Sequence, residues 1–249
     1  FVKEPAVATR DHFQADVYSP EEIEQIKLED GVRLHETTKI ELLTYARENG
    51  VEAVKPFMLV IARDTTHVAQ LKALLESPQF FAGRYAGKVI QVDSSKSGKD
   101  EEEMVARLLA VESRDEPTEI VIHVNMLKEG WDVTNLYTIV PLRAANARTL
   151  VEQSIGRGLR LPYGKRTGVK AVDWLHIVAH DKFQEIVDEA NRGDSLLRLQ
   201  QVILTEPSAA EKKESVQVAS NVEARLGLVA ADDVAPVFSG EAEKAAARI

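Results

Sequence analysis

Five short, mainly apolar runs, the first of them unbroken, are spaced by helix-patterned segments and limit what this chain can fold into. The first is Phe57-Met58-Leu59-Val60-Ile61-Ala62; the others fall at 88–92, 120–124, 137–142 and 174–179. Runs of this length without polar alternation fit strands covered on both faces, and such strands belong to parallel sheets. Between them lie helical patterns. Asp64 or Thr65 can cap a helix through Val68, Leu71, Leu74 and Leu75. An acid-started segment carries Met104, Val105, Leu108 and Leu109, and helices are also expected over 147–160 and 182–191. Repeated βα order of this kind predicts an α/β fold with a parallel sheet flanked by helices.

The first 52 residues read differently. Ser19-Pro20-Glu21-Glu22 has a cap residue, a proline at the first helical position and acids in the first turn. Ile40, Leu42, Leu43 and Ala46 recur at helical spacing, and Asn49-Gly50 supplies a stop. Near the other end, Leu196, Leu197, Leu199, Val202, Ile203 and Leu204 can complete the domain. After Pro207 the chain is rich in Ala, Glu, Lys, Val and Ser, and reads as a docking segment or a mobile tail.

Composition excludes several chemistries. With no cysteine among 249 residues there are no disulfides, thiolate nucleophiles or cysteine zinc sites, which fits a reducing cytoplasm. No apolar run approaches the ~20 residues of a membrane span, so no membrane partner is expected. The net charge of −9 argues against a generally basic DNA-coating protein. Locally the balance inverts: Arg143, Arg148, Arg157, Arg160, Lys165, Arg166 and Lys170 meet a single acid, Glu152. The six histidines lack zinc-ligand spacing, and no metal site is expected.

Three segments carry candidate chemistry. In Gln153-Ser154-Ile155-Gly156-Arg157-Gly158-Leu159-Arg160, a helical reading projects Gln153, Arg157 and Arg160 toward one side. Paired guanidiniums, planar and permanently charged, suit a polyphosphate. The two glycines cost helix propensity, about 1 kcal/mol each, and close packing against a partner lobe would account for them. A basic helix face with incidental glycines is the alternative. In Asn125-Met126-Leu127-Lys128-Glu129-Gly130-Trp131-Asp132, at the end of an apolar strand, Gly130 permits an unusual backbone and Asp132 can accept hydrogen bonds. Asn125 and Lys128 can meet a phosphate backbone, while Trp131 reads as core. In Arg63-Asp64-Thr65-Thr66, a helix start offers hydroxyls and free N–H groups to a phosphate, or is simply a cap.

The order of these segments resembles motifs four, five and six of superfamily-two helicases and translocases, over roughly residues 53–195. The wording of the second and third is most similar to the restriction (Res) subunit of type III restriction–modification enzymes. This resemblance implies a RecA-like second motor lobe at 53–195, a helical connector from a first lobe at 1–52, and a C-terminal extension at 196–249. It implies ATP and Mg2+ in a cleft shared with that first lobe, which would supply the magnesium ligands. Arg157 and Arg160 would reach the γ-phosphate, with Arg160 as the finger. Gln153 and Gly156 would frame that helix, and Gly130 and Asp132 would couple nucleotide state to the lobe interface. Arg63, Thr65, Asn125 and Lys128 would face double-stranded DNA. Val124 stands where many relatives carry Thr, which weakens the DNA assignment there. The implied partners are the first lobe in the same parent chain and a methyltransferase (Mod) subunit.

Gly98-Lys99-Asp100 lacks the spaced glycine and hydroxyl of a Walker A loop, and no Asp-Glu-x-His segment occurs. Asp173 and Glu185 have no Glu-x-Lys partner of a nuclease site. The chain is expected to be a fragment that alone neither hydrolyses ATP nor cuts DNA. Two rivals remain: a repair or remodelling helicase lobe without a nuclease, and a non-enzymatic module that binds DNA or a partner. A Rossmann dinucleotide site is excluded, since no Gly-x-Gly-x-x-Gly follows the first strand.

Overall fold

The apolar runs become strands buried on both faces. In the computed structural model, residues 2–11, 13–92, 99–124, 133–142, 158–180 and 200–204 are described. Its strands are β1 (Glu4–Arg10), β2 (Phe57–Ile61), β3 (Val89–Val92), β4 (Ile120–His123), β5 (Leu136–Pro141), β6 (Trp174–Val178) and β7 (Gln200–Leu204). They form one seven-stranded sheet in the order β3-β4-β2-β5-β6-β1-β7, and every pairing is parallel. The helices are α1 (Pro20–Asn49), α2 (Thr65–Leu75), α3 (Lys99–Leu109) and the short α4 (Lys170–Asp173). The expected α/β class, a parallel sheet flanked by helices, is what the chain adopts. These elements belong to one unit, Phe1–Thr205. Of the extension expected at 196–249, residues 200–204 form β7 of this sheet, and 196–199 and 205–249 lie outside the described residues.

β2 shows why no alternation was needed. Phe57, Leu59 and Ile61 enter one apolar core with Val121, Ile139 and Ile177. Met58 and Val60 enter the other, with Ile120, Ile122 and Val140. Successive side chains point to opposite faces, and each face has its own helix cover.

α1 forms on one of these faces. Ser19 accepts from the Glu22 N–H while the Glu22 carboxylate accepts from the Ser19 N–H, a full capping box, and Gly50 closes the helix in the left-handed conformation at φ 63°. Its middle approaches the sheet at Gly31, where a Cβ would meet Val140 Cγ2 at 2.5 Å.

Two features depart from the sequence reading of the first 52 residues as a helical connector. Glu4–Arg10 is a strand lying between β6 and β7. Its Ala-Val-Ala-Thr centre lacks the β-branched density that marks the other strands. Pro5 lies before β7 begins to pair at Ala6, where a missing N–H costs the ladder little. In α1, Leu42 and Ala46 are buried as read, whereas Ile40 and Leu43 face outward. The buried stripe runs through Leu28, Val32, His35, Thr38, Leu42 and Ala46, and its polar members hid it from an apolar count.

Candidate functional site

The parallel sheet has two chemically distinct edges, and the candidate residues divide between them. At the carboxyl edge, β2 ends in Ala62-Arg63-Asp64. The chain leaves β2 toward β4 and β3, but leaves its neighbour β5 toward β6, so a topological switch point lies between β2 and β5. Arg63 and the start of α2 sit there. Asp64 caps α2 by accepting from the His67 N–H at 2.8 Å, and Thr65 is exposed in the first turn. The Arg63 guanidinium is half exposed and pairs with Glu24 of α1, which also binds His67 Nε2 at 3.1 Å. The Arg63 N–H donates to His67 Nδ1 at 3.2 Å. His67 therefore has its proton on Nε2, and burial lowers its pKa ahead of the opposing pull of Glu24.

At the amino edge lies Arg160. A helix was expected through position 160; Gly158 is helical, but Arg160 forms an antiparallel bridge with Val2, just ahead of β1. Arg160 therefore does not continue a helical face from Gln153 and Arg157. Extended backbone instead alternates its neighbours: Leu159 and Leu161 are buried and Arg160 is exposed. Gly158 also has a reason other than a partner lobe. A Cβ there would meet Leu175 Cδ2 at 2.9 Å and Leu136 Cδ2 at 3.0 Å, so the segment lies directly on this chain's own sheet.

Arg63 and Arg160 thus stand at opposite ends of the strands, separated by a five-residue strand of roughly 16 Å. The flanks of the second candidate segment span the same gap, with Val124 following β4 at the carboxyl edge and Val133 preceding β5 at the amino edge. Asn125, Lys128, Gly130, Asp132, Gln153, Gly156 and Arg157 lie outside the described residues, as do Trp131 and Glu185.

A residue that sequence reasoning missed organises the amino edge. Lys3 is fully buried, and its Nζ donates to the carbonyls of Thr134 (2.6 Å), Leu136 (2.8 Å) and Gly158 (3.1 Å). The ammonium also lies 4.0 Å from the Tyr137 ring centroid. Burial pulls the Lys3 pKa down to about 7, opposed by Glu112. One lysine near an end of the chain carries no pattern that could have announced this.

Other ionisable clusters among the described residues are tied up in bonds within the chain. Asp30 on α1 accepts from Arg10 Nε (2.7 Å), Arg33 Nη1 (2.9 Å) and His180 Nε2 (2.8 Å). Burial raises its carboxyl, but the bonds from His180 and Arg10 outweigh that and hold it at about 2. His35, Glu36 and Glu119 cluster closely enough for a cation. The two Glu119 oxygens already bind Lys88 and Lys39, both at 2.7 Å, and Glu36 binds Lys39, Arg84 and Tyr85. Asp173 accepts from the N–H groups of Thr167 and Gly168, closing a turn. Among the described residues no helix is long and apolar enough to cross a membrane.

The chain matches no family model. It is 30% identical over 105 residues to the type III restriction-modification enzyme EcoPI Res subunit of Escherichia phage P1, covering 42% of this chain and 11% of that protein. It is 36% identical over 81 residues to the EcoP15I Res subunit of Escherichia coli, covering 31% of this chain and 8% of that protein. The chain spans about a tenth of the length of these relatives. Among solved structures, S. cerevisiae Dbp5 bound to RNA and ADP BeF3 aligns with a TM-score of 0.49 at 14% identity, over 81% of this chain and 41% of that one. Over these stretches the chain is similar to type III Res subunits.

Proposed function

We propose that this chain is the second motor lobe of an ATP-dependent DNA translocase of the type III Res kind, completing an ATP site with a first lobe in the same parent protein. The observation that carries the reading is Arg160, an exposed residue at the amino edge, held between two buried leucines by its bridge to Val2. A permanently charged, forked donor on a fixed backbone suits the charge that develops on a phosphoryl group in transfer. Bound in the cleft with Mg2+ from the first lobe, ATP supplies that phosphoryl group. Arg157, Gln153 and Gly156 complete the arginine-bearing segment in this proposal.

Arg63 and Thr65 face DNA at the opposite edge, with Asn125 and Lys128, so nucleotide and nucleic acid engage the two ends of the same strands. The segment holding Gly130 and Asp132 leaves from one edge and returns at the other, which supports a coupling role. The parent protein is an ATP-dependent hydrolase of the cytoplasm that acts on double-stranded DNA with a methyltransferase (Mod) subunit, and the isolated chain is inactive. Sequence similarity to two Res subunits favours this over a repair or remodelling helicase.

In the full-length protein Arg160→Ala is expected to abolish DNA-stimulated ATP turnover while leaving nucleotide binding largely intact. Unchanged turnover would refute the assignment.

A further inference from the structure

We infer that Lys3 is a positioning residue for Arg160, fastening the arginine-bearing segment to the entry of β5 through the carbonyls of Thr134, Leu136 and Gly158. This rests on the motor-lobe reading above.

Three carbonyl oxygens, from two chain segments far apart in sequence, converge on one ammonium. A carbonyl taken out of water without a donor is costly, and here a single cation bonds all three. The Lys3 backbone joins the same assembly, donating its N–H to the Leu159 carbonyl, and Val2 bridges Arg160. Side chain and backbone therefore hold residues 158–160 from two directions. Thr134, whose carbonyl is the nearer acceptor on the β5 side, is itself anchored by Glu112, whose Oε1 accepts from both the Thr134 N–H and hydroxyl at 2.7 Å. Thr134 is two positions beyond Asp132, so the clip joins the end of one candidate segment to the end of the other.

The Lys3 ammonium lies over the Tyr137 ring, and the residue is completely enclosed. An enclosed ammonium is a poor choice for stability alone, because burying its charge is costly and an apolar side chain could fill the same volume. What the cation provides is directionality: three short bonds fix where the backbone before Arg160 lies. A finger displaced by ~1 Å can lose on the order of a hundredfold in rate.

The test uses the full-length protein and DNA-stimulated ATP turnover. Lys3→Met keeps the stem and removes the donors; kcat is expected to fall about 10- to 100-fold with the KM for ATP nearly unchanged. Lys3→Gln keeps two N–H donors, so its kcat should lie between those of Met and Lys, and it carries the test if the Met variant does not fold. In an Arg160→Lys background, Lys3→Met should cost far less than it does alone, because the two act as a unit. Wild-type kcat in both Lys3 variants, or losses that multiply fully with Arg160→Lys, would overturn the inference. If Arg160→Ala turns over ATP normally, the motor-lobe reading fails first. If Arg160→Ala is dead while the Lys3 variants are normal, only the positioning role fails.

Discussion

His180 Nε2 donates to Asp30 Oδ2 at 2.8 Å, tying the residue beyond β6 to the buried face of α1. Asp30 also holds Arg10, at the end of β1, so one carboxylate joins three elements at the carboxyl edge. Asp30→Asn leaves Arg10 short of its charge partner in a site that water barely reaches. A loss of about 3 kcal/mol is expected, as for other broken buried pairs, measurable by urea unfolding near pH 7.

The same carboxylate and His176 predict two stages of acid destabilisation. His176 is buried in β6, and burial lowers its pKa from 6.5 to about 4 against a raising bond to the Tyr137 backbone. The unfolded chain therefore takes up this proton first. Its contribution is complete above pH 6.5 and is lost as pH falls to 4, about 3 kcal/mol in all. Asp30, lowered from 3.8 to about 2, keeps its contribution above 3.8 and loses it as pH falls toward 2, about 2 kcal/mol. Unfolding free energies across pH 7 to 2 should show both stages. His176→Gln should weaken the first and Asp30→Asn the second, with His67 and Glu119, whose pKa values are also lowered, leaving a remainder in each.

Gly31 offers a packing test. Alanine should gain about 1 kcal/mol of helix propensity, yet its methyl would collide with Val140 Cγ2 and sit 3.1 Å from Met58 Sδ. Overpacking of this kind costs about 1–3 kcal/mol. Gly31→Ala is expected to lower Tm despite the better helix former, and a rise in Tm would mean that α1 can lift from the sheet cheaply.

Arg63 separates stability from recognition. Its ion pair with Glu24 is half exposed, so Arg63→Ala should change stability by less than about 1 kcal/mol. Under the DNA-facing reading, the same change in the full-length protein weakens DNA binding uniformly across sequences and lowers the salt slope by about 1. An unchanged salt slope would remove Arg63 from the interface.

What the sequence disclosed follows from where the chemistry of each element lies. β2 to β6 were legible because burial demands mostly apolar side chains without a strict polar alternation. α2 was legible because Asp64 caps it locally. β1 was hidden, since its Ala-rich strand is defined by neighbours placed at 174–178 and 200–204. At Arg160 the helical period extrapolated two residues too far, because the bridge to Val2 depends on a distant segment and overrides local propensity. Lys3, Asp30 and Glu119 were invisible for a related reason. Each is buried only because partners from elsewhere in the chain arrive to satisfy it, and no spacing rule encodes that.

The position of β1 also dictates an order of assembly. Of the described strands of this sheet Glu4–Arg10 are made before the rest, but both strands that flank them come last, ending at Leu204. The β3-β4-β2-β5 half can pair as soon as it is made, whereas β1 must wait, its backbone groups unmet, while the intervening chain is translated. Long-range parallel pairing of this sort is slow and prone to wrong partners. The amino edge bearing Arg160 is completed late as well, so the Val2 bridge is secured only when the earliest-made described strand of this sheet has been enclosed.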